Sequence, residues 1–172
     1  MAWSFYNSSG VAKTGEYSGS AVTQVLHVRD EKANTTAGGT FTSGAWRTRD
    51  LNTVKTNAIT GASVASNQIT LPVGTYWIEA SAPARRVDEH KAKLYNTTAA
   101  ADVIIGTNEY TIGSADTAST RSLVRGAFTL TATSVLELQH RCLTTLATNG
   151  FGLPTAFSVV EVYSEVMIWK TA

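Results

Sequence analysis

From residue 21 onward the chain repeats one pattern, short runs in which apolar and polar side chains alternate with a period of two. That period puts successive side chains on opposite faces of an extended strand, whereas an amphipathic helix needs 3.6. Val22, Gln24, Leu26 and Val28 share one such face. In 75–82 (TYWIEASA), Tyr76, Ile78 and Ala80 fall on one side and Trp77, Glu79 and Ser81 on the other. Weaker runs cover 44–54 and 103–106, and 68–71 ends on the turn signal Pro72-Val73-Gly74. Runs 121–130 and 135–142 flank 131–134 as a hairpin. The residue types agree: 26 Thr, 15 Val and 7 Ile make 48 β-branched positions among 172, and such side chains favour strands. About eight to ten short strands without a sustained helical pattern predict an all-β sandwich or barrel. Segment 85–94 (RRVDEHKAKL) fits a helix as well as a strand, because Val87, Lys91 and Leu94 recur at helical spacing.

The length corresponds to one domain of ordinary size. Residues 1–20, rich in Ser and Gly, lack alternation and read as an arm or linker before a head at 21–172. Fourteen basic against thirteen acidic residues leave a net charge of +1, too little to attract nucleic acid. No apolar run reaches the ~18 residues of a membrane-spanning helix, so no membrane insertion is expected. The start MAWSFYNSSG shows no basic-then-apolar signal segment. The single Cys142 excludes an intrachain disulfide and a cysteine-based zinc site.

The run 157–169 is the longest and the most informative. Alternation assigns Val160, Val162, Val166 and Ile168 to the core. The other face then carries Phe157, Val159, Glu161, Tyr163, Glu165, Met167 and Trp169. A solvent-facing strand is polar on its outer side, whereas five large apolar groups stand here. Such a face marks an interface, and Phe157, Val159, Tyr163, Met167 and Trp169 are the expected contacts between subunits.

Five blocks then occur in order: FTSGAWRTRDLNT (41–53), ITLPVGTYWIEASAPA (69–84), HKAKLYN (90–96), ELQHRC (137–142), and NGFG (149–152) followed by EVYSEVMIWK (161–170). Together they resemble the C-terminal domain of bacteriophage tail fibre proteins. More distantly, Leu71-Pro72-Val73-Gly74-Thr75-Tyr76 and the late hairpin 126–139 resemble the C1q and tumour-necrosis-factor jelly rolls. The resemblance implies a ten-stranded jelly-roll β-sandwich that forms a homotrimer, with the terminal strands nearest the threefold axis. It also implies a virion protein made in the host cytoplasm. It would be joined to an upstream fibre shaft and would bind a glycan or protein receptor on the bacterial surface. The alternatives are a non-binding trimerisation or decoration module and a polysaccharide-trimming enzyme.

Candidate chemistry is sparse. His27, His90 and His140 lack metal-ligand spacing. His140 shares a face with Leu136, Leu138 and Cys142, the setting of a buried, hydrogen-bonded histidine. Neighbouring acids such as Asp88 and Glu89 point to opposite faces of a strand, and no Gly-x-Ser-x-Gly element occurs. No catalytic residue, metal or cofactor is expected. Binding is better sought in loops. An antiparallel first and last strand would bring 30–43 and 144–156 together at the end away from the arm. There Phe41 and Phe151 would offer rings to a sugar, and Asn34, Thr35, Thr36 and Asn149 would read its hydroxyls. Tyr110, with Asn108 and Glu109 in 106–119, is the second candidate. The arginines of the strands, among them Arg49, are expected in surface or intersubunit ion pairs.

Overall fold

The alternating runs become two antiparallel sheets facing each other across one core. The computed structural model describes residues 24–112 and 118–172, together with the short strands β1 (Phe5–Tyr6) and β2 (Ala12–Lys13), which pair with each other. The rest of the expected arm, and Val22, lie outside the described residues. The chain continues as β3 (Val25–Lys32), β4 (Arg47–Thr48), β5 (Thr53–Asn57), β6 (Ser63–Ala65), β7 (Gln68–Leu71), β8 (Gly74–Arg85), β9 (Asp88–Asn96), β10 (Ala101–Thr111), β11 (Ser119–Leu130), β12 (Ser134–Cys142) and β13 (Glu161–Lys170). One sheet runs β11-β8-β13-β3-β5 and the other β10-β9-β12-β7-β6, with β4 added to β12. Ten strands therefore make the sandwich, as expected, and the short β4 is extra.

The core is the set of inward positions that alternation assigns. Leu26 and Val28 from β3, Tyr76 and Ile78 from β8, and Val166 and Ile168 from β13 meet Leu94 from β9, Leu136 and Leu138 from β12, and Ile69 and Leu71 from β7. Each such aliphatic side chain contributes ~2 kcal/mol by leaving water. Tyr76 also closes the turn before its own strand, its hydroxyl donating to Pro72 O at 2.7 Å.

Segment 85–94 is strand, not helix. Arg86 (φ 52) and Asp88 (φ 58) take left-handed conformations in the turn between β8 and β9. From there β9 pairs on one side with β10 and on the other with β12. These backbone bonds outweigh the weak local helical preference, which never reached the length an isolated helix requires.

The last strand departs from uniform alternation. Its register against β3 shifts between Val162 and Glu165, so Tyr163 and Ser164 are adjacent yet both buried. A bulge of this kind reverses the parity of the residues before it. Val162 therefore lies opposite the outward Glu31, and Val160 precedes the strand, 54% exposed. Tyr163, expected at a subunit interface, is instead inside its own chain, its hydroxyl donating to Thr36 O at 2.7 Å. Phe157 and Val159 lie in the loop before β13, not on its outer face.

Candidate functional site

Strand direction sorts the surface into two ends. Gln24 and Ala172 lie at one end, where Lys170 N donates to Gln24 O and Ala172 N to Thr75 O. Loops 33–46 and 143–160 lie at the other, the apex. As anticipated from the antiparallel first and last strands, these loops are bonded to each other. Gly38 N donates to Gly152 O, Gly39 N to Thr148 O, and Phe41 and Leu146 exchange both backbone bonds.

The apex is built around buried polar groups. Glu161 is only 4% exposed. Its carboxylate accepts from Thr155 N (2.9 Å), Ala156 N (2.8 Å), Thr35 N (3.2 Å) and the Thr155 hydroxyl (3.1 Å). The amides of Thr155 and Ala156, joined by that of Thr35, hold its carboxyl below the usual carboxylate range. Because the folded state binds this proton less readily than the unfolded chain does, the stabilisation is complete above the ordinary carboxylate pKa. It is lost as pH falls through the lowered value. Glu161→Gln replaces one acceptor oxygen with a donor facing backbone N–H groups. Protection of the Thr35, Thr155 and Ala156 amides, relative to their intrinsic exchange at the same pH, should fall in this variant at neutral pH, and in the wild type only on acidification. Unchanged exchange in Glu161→Gln would show that Glu161 does not organise the loops.

Arg49 lies beneath the apex and is fully buried, not in the surface or subunit pair anticipated for it. It donates to Pro83 O and Phe151 O, both at 3.2 Å, and lies 3.9 Å over the Phe151 ring. Burial pulls its pKa down to about 9, against the opposing charges of Asp30 and Asp50. The other side of this cluster is apolar. Phe41 is inaccessible, with its ring 4.4 Å from Phe151 and 4.7 Å from His140. The two phenylalanines expected to stack on a sugar thus pack against each other, because Gly38 and Gly150 let the loop backbones close over them. A Cβ on Gly38 would sit 2.8 Å from Phe151 C, and one on Gly150 2.6 Å from Phe41 Cβ. Asn34, Thr35 and Thr36 are exposed and Asn149 is half-buried. The Asn34 amide oxygen accepts from Ser158 N at 3.1 Å. Phe157 (79% exposed), Val159 and Val160 project beside them.

The outward face of β11-β8-β13-β3-β5 carries the second feature. Trp169 lies directly between Trp77 and Val25, and Met167 between Glu79 and His27. Trp77 is 42% exposed. Toward the apex the same face turns charged. Glu165 accepts from His27 Nε2 (2.8 Å) and Arg29 Nε (2.7 Å). Burial acts upward on Glu165, but these bonds outweigh it and keep its carboxyl low.

The third feature is a cavity of about 630 Å³ on the opposite sheet, at its apical shoulder. Register puts Asn108, Lys91 and Arg141 in one row across β10, β9 and β12, with Tyr110 and Glu89 in the next. Trp46, just before β4, lines the cavity with all of these except Tyr110, and Lys93 Nζ sits 4.3 Å over its ring. Glu109 lines it too. The floor is His90 and Cys142, both nearly inaccessible. One ring nitrogen of His90 is 2.9 Å from His140 Nε2 and the other 2.8 Å from the Thr120 hydroxyl. Burial, helped by the charge of Arg49, pushes His90 down to about 4, and His140 also falls well below its ordinary value. Burial pushes the Cys142 thiol up to about 11. The floor is therefore uncharged at neutral pH, beneath walls that carry both charges. Among the described residues, no three His, Cys, Asp or Glu side chains cluster as a metal site.

Of the second candidate, Asn108 and Glu109 line the cavity and Tyr110 does not, and all three lie in strand β10 rather than in the loop expected for 106–119. His140 is buried and hydrogen-bonded, as its face assignment anticipated. Sequence reading missed Trp46, Lys91, Glu89 and Arg141, which lie up to 95 positions apart and meet only through strand register.

No family model matches the sequence, and no curated protein matches it at the sequence level. Solved structures do. The chain is similar to the globular domain of zebrafish complement 1qA protein, at 12% identity and TM-score 0.50, over 87% of this chain and 98% of that one. It is similar to murine APRIL at 8% identity and TM-score 0.51, over 86% and 98%. PRD1 vertex protein P5 matches at 13% identity and TM-score 0.52, over 88% and 99%. At such identities the likeness is one of architecture. The chain has the all-β jelly-roll fold of C1q and tumour-necrosis-factor-like domains.

Proposed function

We propose that this chain is the trimeric head of a phage adhesion device, the tip of a tail fibre that binds a receptor on the bacterial surface. The observation that carries the reading is the outward sheet face of Trp77, Trp169, Met167 and Val25. It is an apolar surface on the first and last strands of the domain, β3 and β13, and on the adjoining β8. Three copies packed by this face bury those groups around a threefold axis, and the charged half with His27, Arg29 and Glu165 offers pairs between subunits. The likeness to PRD1 vertex protein P5 supports a place in a virion. A shaft joined at the end of Gln24 leaves the apex facing the host. There Asn34, Thr35, Thr36 and Asn149, with the projecting Phe157 and Val159, are available to a glycan or protein receptor. Three copies convert a weak single contact into useful avidity. The reading is non-enzymatic. The vertex-protein likeness equally favours a virion module that binds nothing.

Sedimentation of the full chain at micromolar concentration tests the assembly, and binding of the labelled chain to a panel of bacterial strains tests the adhesin. A trimer that decorates some strains and not others is the expected result. A well-behaved monomer would overturn the assembly, and a trimer that binds no strain would leave the structural module.

A further inference from the structure

We infer that the shoulder cavity is a binding site for an uncharged oligosaccharide, held between Trp46 and the row of Asn108, Lys91 and Arg141. As a receptor contact this deepens the adhesin reading and rests on it. As a binding site it stands on the cavity alone.

The volume of about 630 Å³ falls within the ~300–1,000 Å³ of small-molecule sites. Sugar rings bind by stacking their C–H faces on an aromatic plane while their hydroxyls both donate and accept. The cavity supplies each part. Trp46 is the aromatic plane, and Lys93 over its ring fixes its position. Lys91 and Arg141 donate, Glu89 accepts, and the Asn108 amide does both. Glu109 lies opposite the buried His90, and its carboxylate accepts from the Thr107 hydroxyl. Among the described residues, no hydrogen bond or ion pair within the chain engages the side chains of Lys91, Arg141 or Glu89. They are left to a ligand.

The balance of charge selects the class. A ligand with its own carboxylate would meet Glu89, and one with an ammonium would meet Lys91 and Arg141. A hydroxylated ring without charge can satisfy all three. The neutral floor of His90 and Cys142 adds no preference of its own.

The experiment titrates the full chain with maltotriose, mannotriose and triacetylchitotriose, and with charged counterparts, trigalacturonic acid and the chitosan trimer. Saturation-transfer NMR and tryptophan emission report binding. At least one neutral trisaccharide should bind with a Kd of about 1 mM or tighter, and the charged trimers at least about tenfold more weakly. Trp46→Ala and the exposed Arg141→Ala should each raise that Kd by about tenfold or more at an unchanged melting temperature. The second variant keeps the test sound if the first disturbs Lys93. The inference is overturned if no neutral trimer binds, if a charged trimer binds best, or if both variants bind as wild type does. New reducing ends from the bound trimer would overturn its assignment as a non-catalytic site. Trisaccharide binding by a chain that binds no bacteria would support the cavity and fail only the adhesin reading.

Discussion

Replacing Trp77 and Trp169 together with glutamate should leave the chain monomeric at micromolar concentration, with its β-sheet circular dichroism intact. The two rings are cross-strand neighbours on β8 and β13 and both point away from the core. Neither is needed inside the subunit. Hiding a further ~100 Å² of each ring contributes ~2.5 kcal/mol at ~25 cal/mol per Å². In the proposed trimer six such rings would be hidden together. Glutamate abolishes that stabilisation and adds charges that would have to be desolvated beside one another. Sedimentation reads the result directly. A double variant that still sediments as a trimer would place the interface elsewhere on the domain. Tyr163→Lys would be a poor probe of assembly, because that side chain is buried among apex groups and burial pushes its phenol up to about 12.

Arg49→Ala should cost about 3–5 kcal/mol, the range for breaking a buried charged network. At a fixed chain concentration this lowers the melting temperature by roughly 10 °C. The loss has three parts. Pro83 O and Phe151 O lose their donor, Phe151 loses the cation on its ring, and a fully buried volume empties. Arg49→Met refills the volume without the donors, so its melting temperature should fall between those of wild type and Arg49→Ala. A change below about 1 kcal/mol in Arg49→Ala would mean that the apex relaxes around the gap. The effect should also loosen loops 33–46 and 143–160 selectively, because Arg49 joins β8 to the second of them and the loops are bonded together.

Period-two alternation was enough to read an all-β sandwich or barrel, and the resemblance to jelly rolls chose between them. Inward and outward assignments for Leu26, Val28, Tyr76, Ile78, Leu136 and Leu138 follow from it alone, since each lies in a regular strand whose neighbours are also regular. The antiparallel pairing of the first and last strands, which brings their loops to one end, came instead from the jelly-roll resemblance. Alternation failed where a strand was irregular. The bulge at Tyr163 and Ser164 leaves no mark on composition, yet it moves one aromatic inside and turns Val162 outward. It failed again at Phe41 and Phe151, since a loop sequence cannot tell whether its ring faces solvent or fills a gap beneath.

What the sequence determined by itself is therefore the set of properties carried by near neighbours: strand identity and the two faces of each regular strand. The hairpin expected at 131–134 is not one of them, because that turn carries the chain from β11 in one sheet to β12 in the other and the two strands do not pair. The tertiary structure decided everything that depends on register between distant strands. It set His90 against His140, buried Arg49 under the apex, and gathered Trp46, Lys91, Asn108 and Arg141 at one cavity. The physical reason is the range of the forces. Side-chain alternation is imposed by the local geometry of an extended backbone. Register is chosen by the whole core at once, because a one-residue slip would turn every apolar face to water.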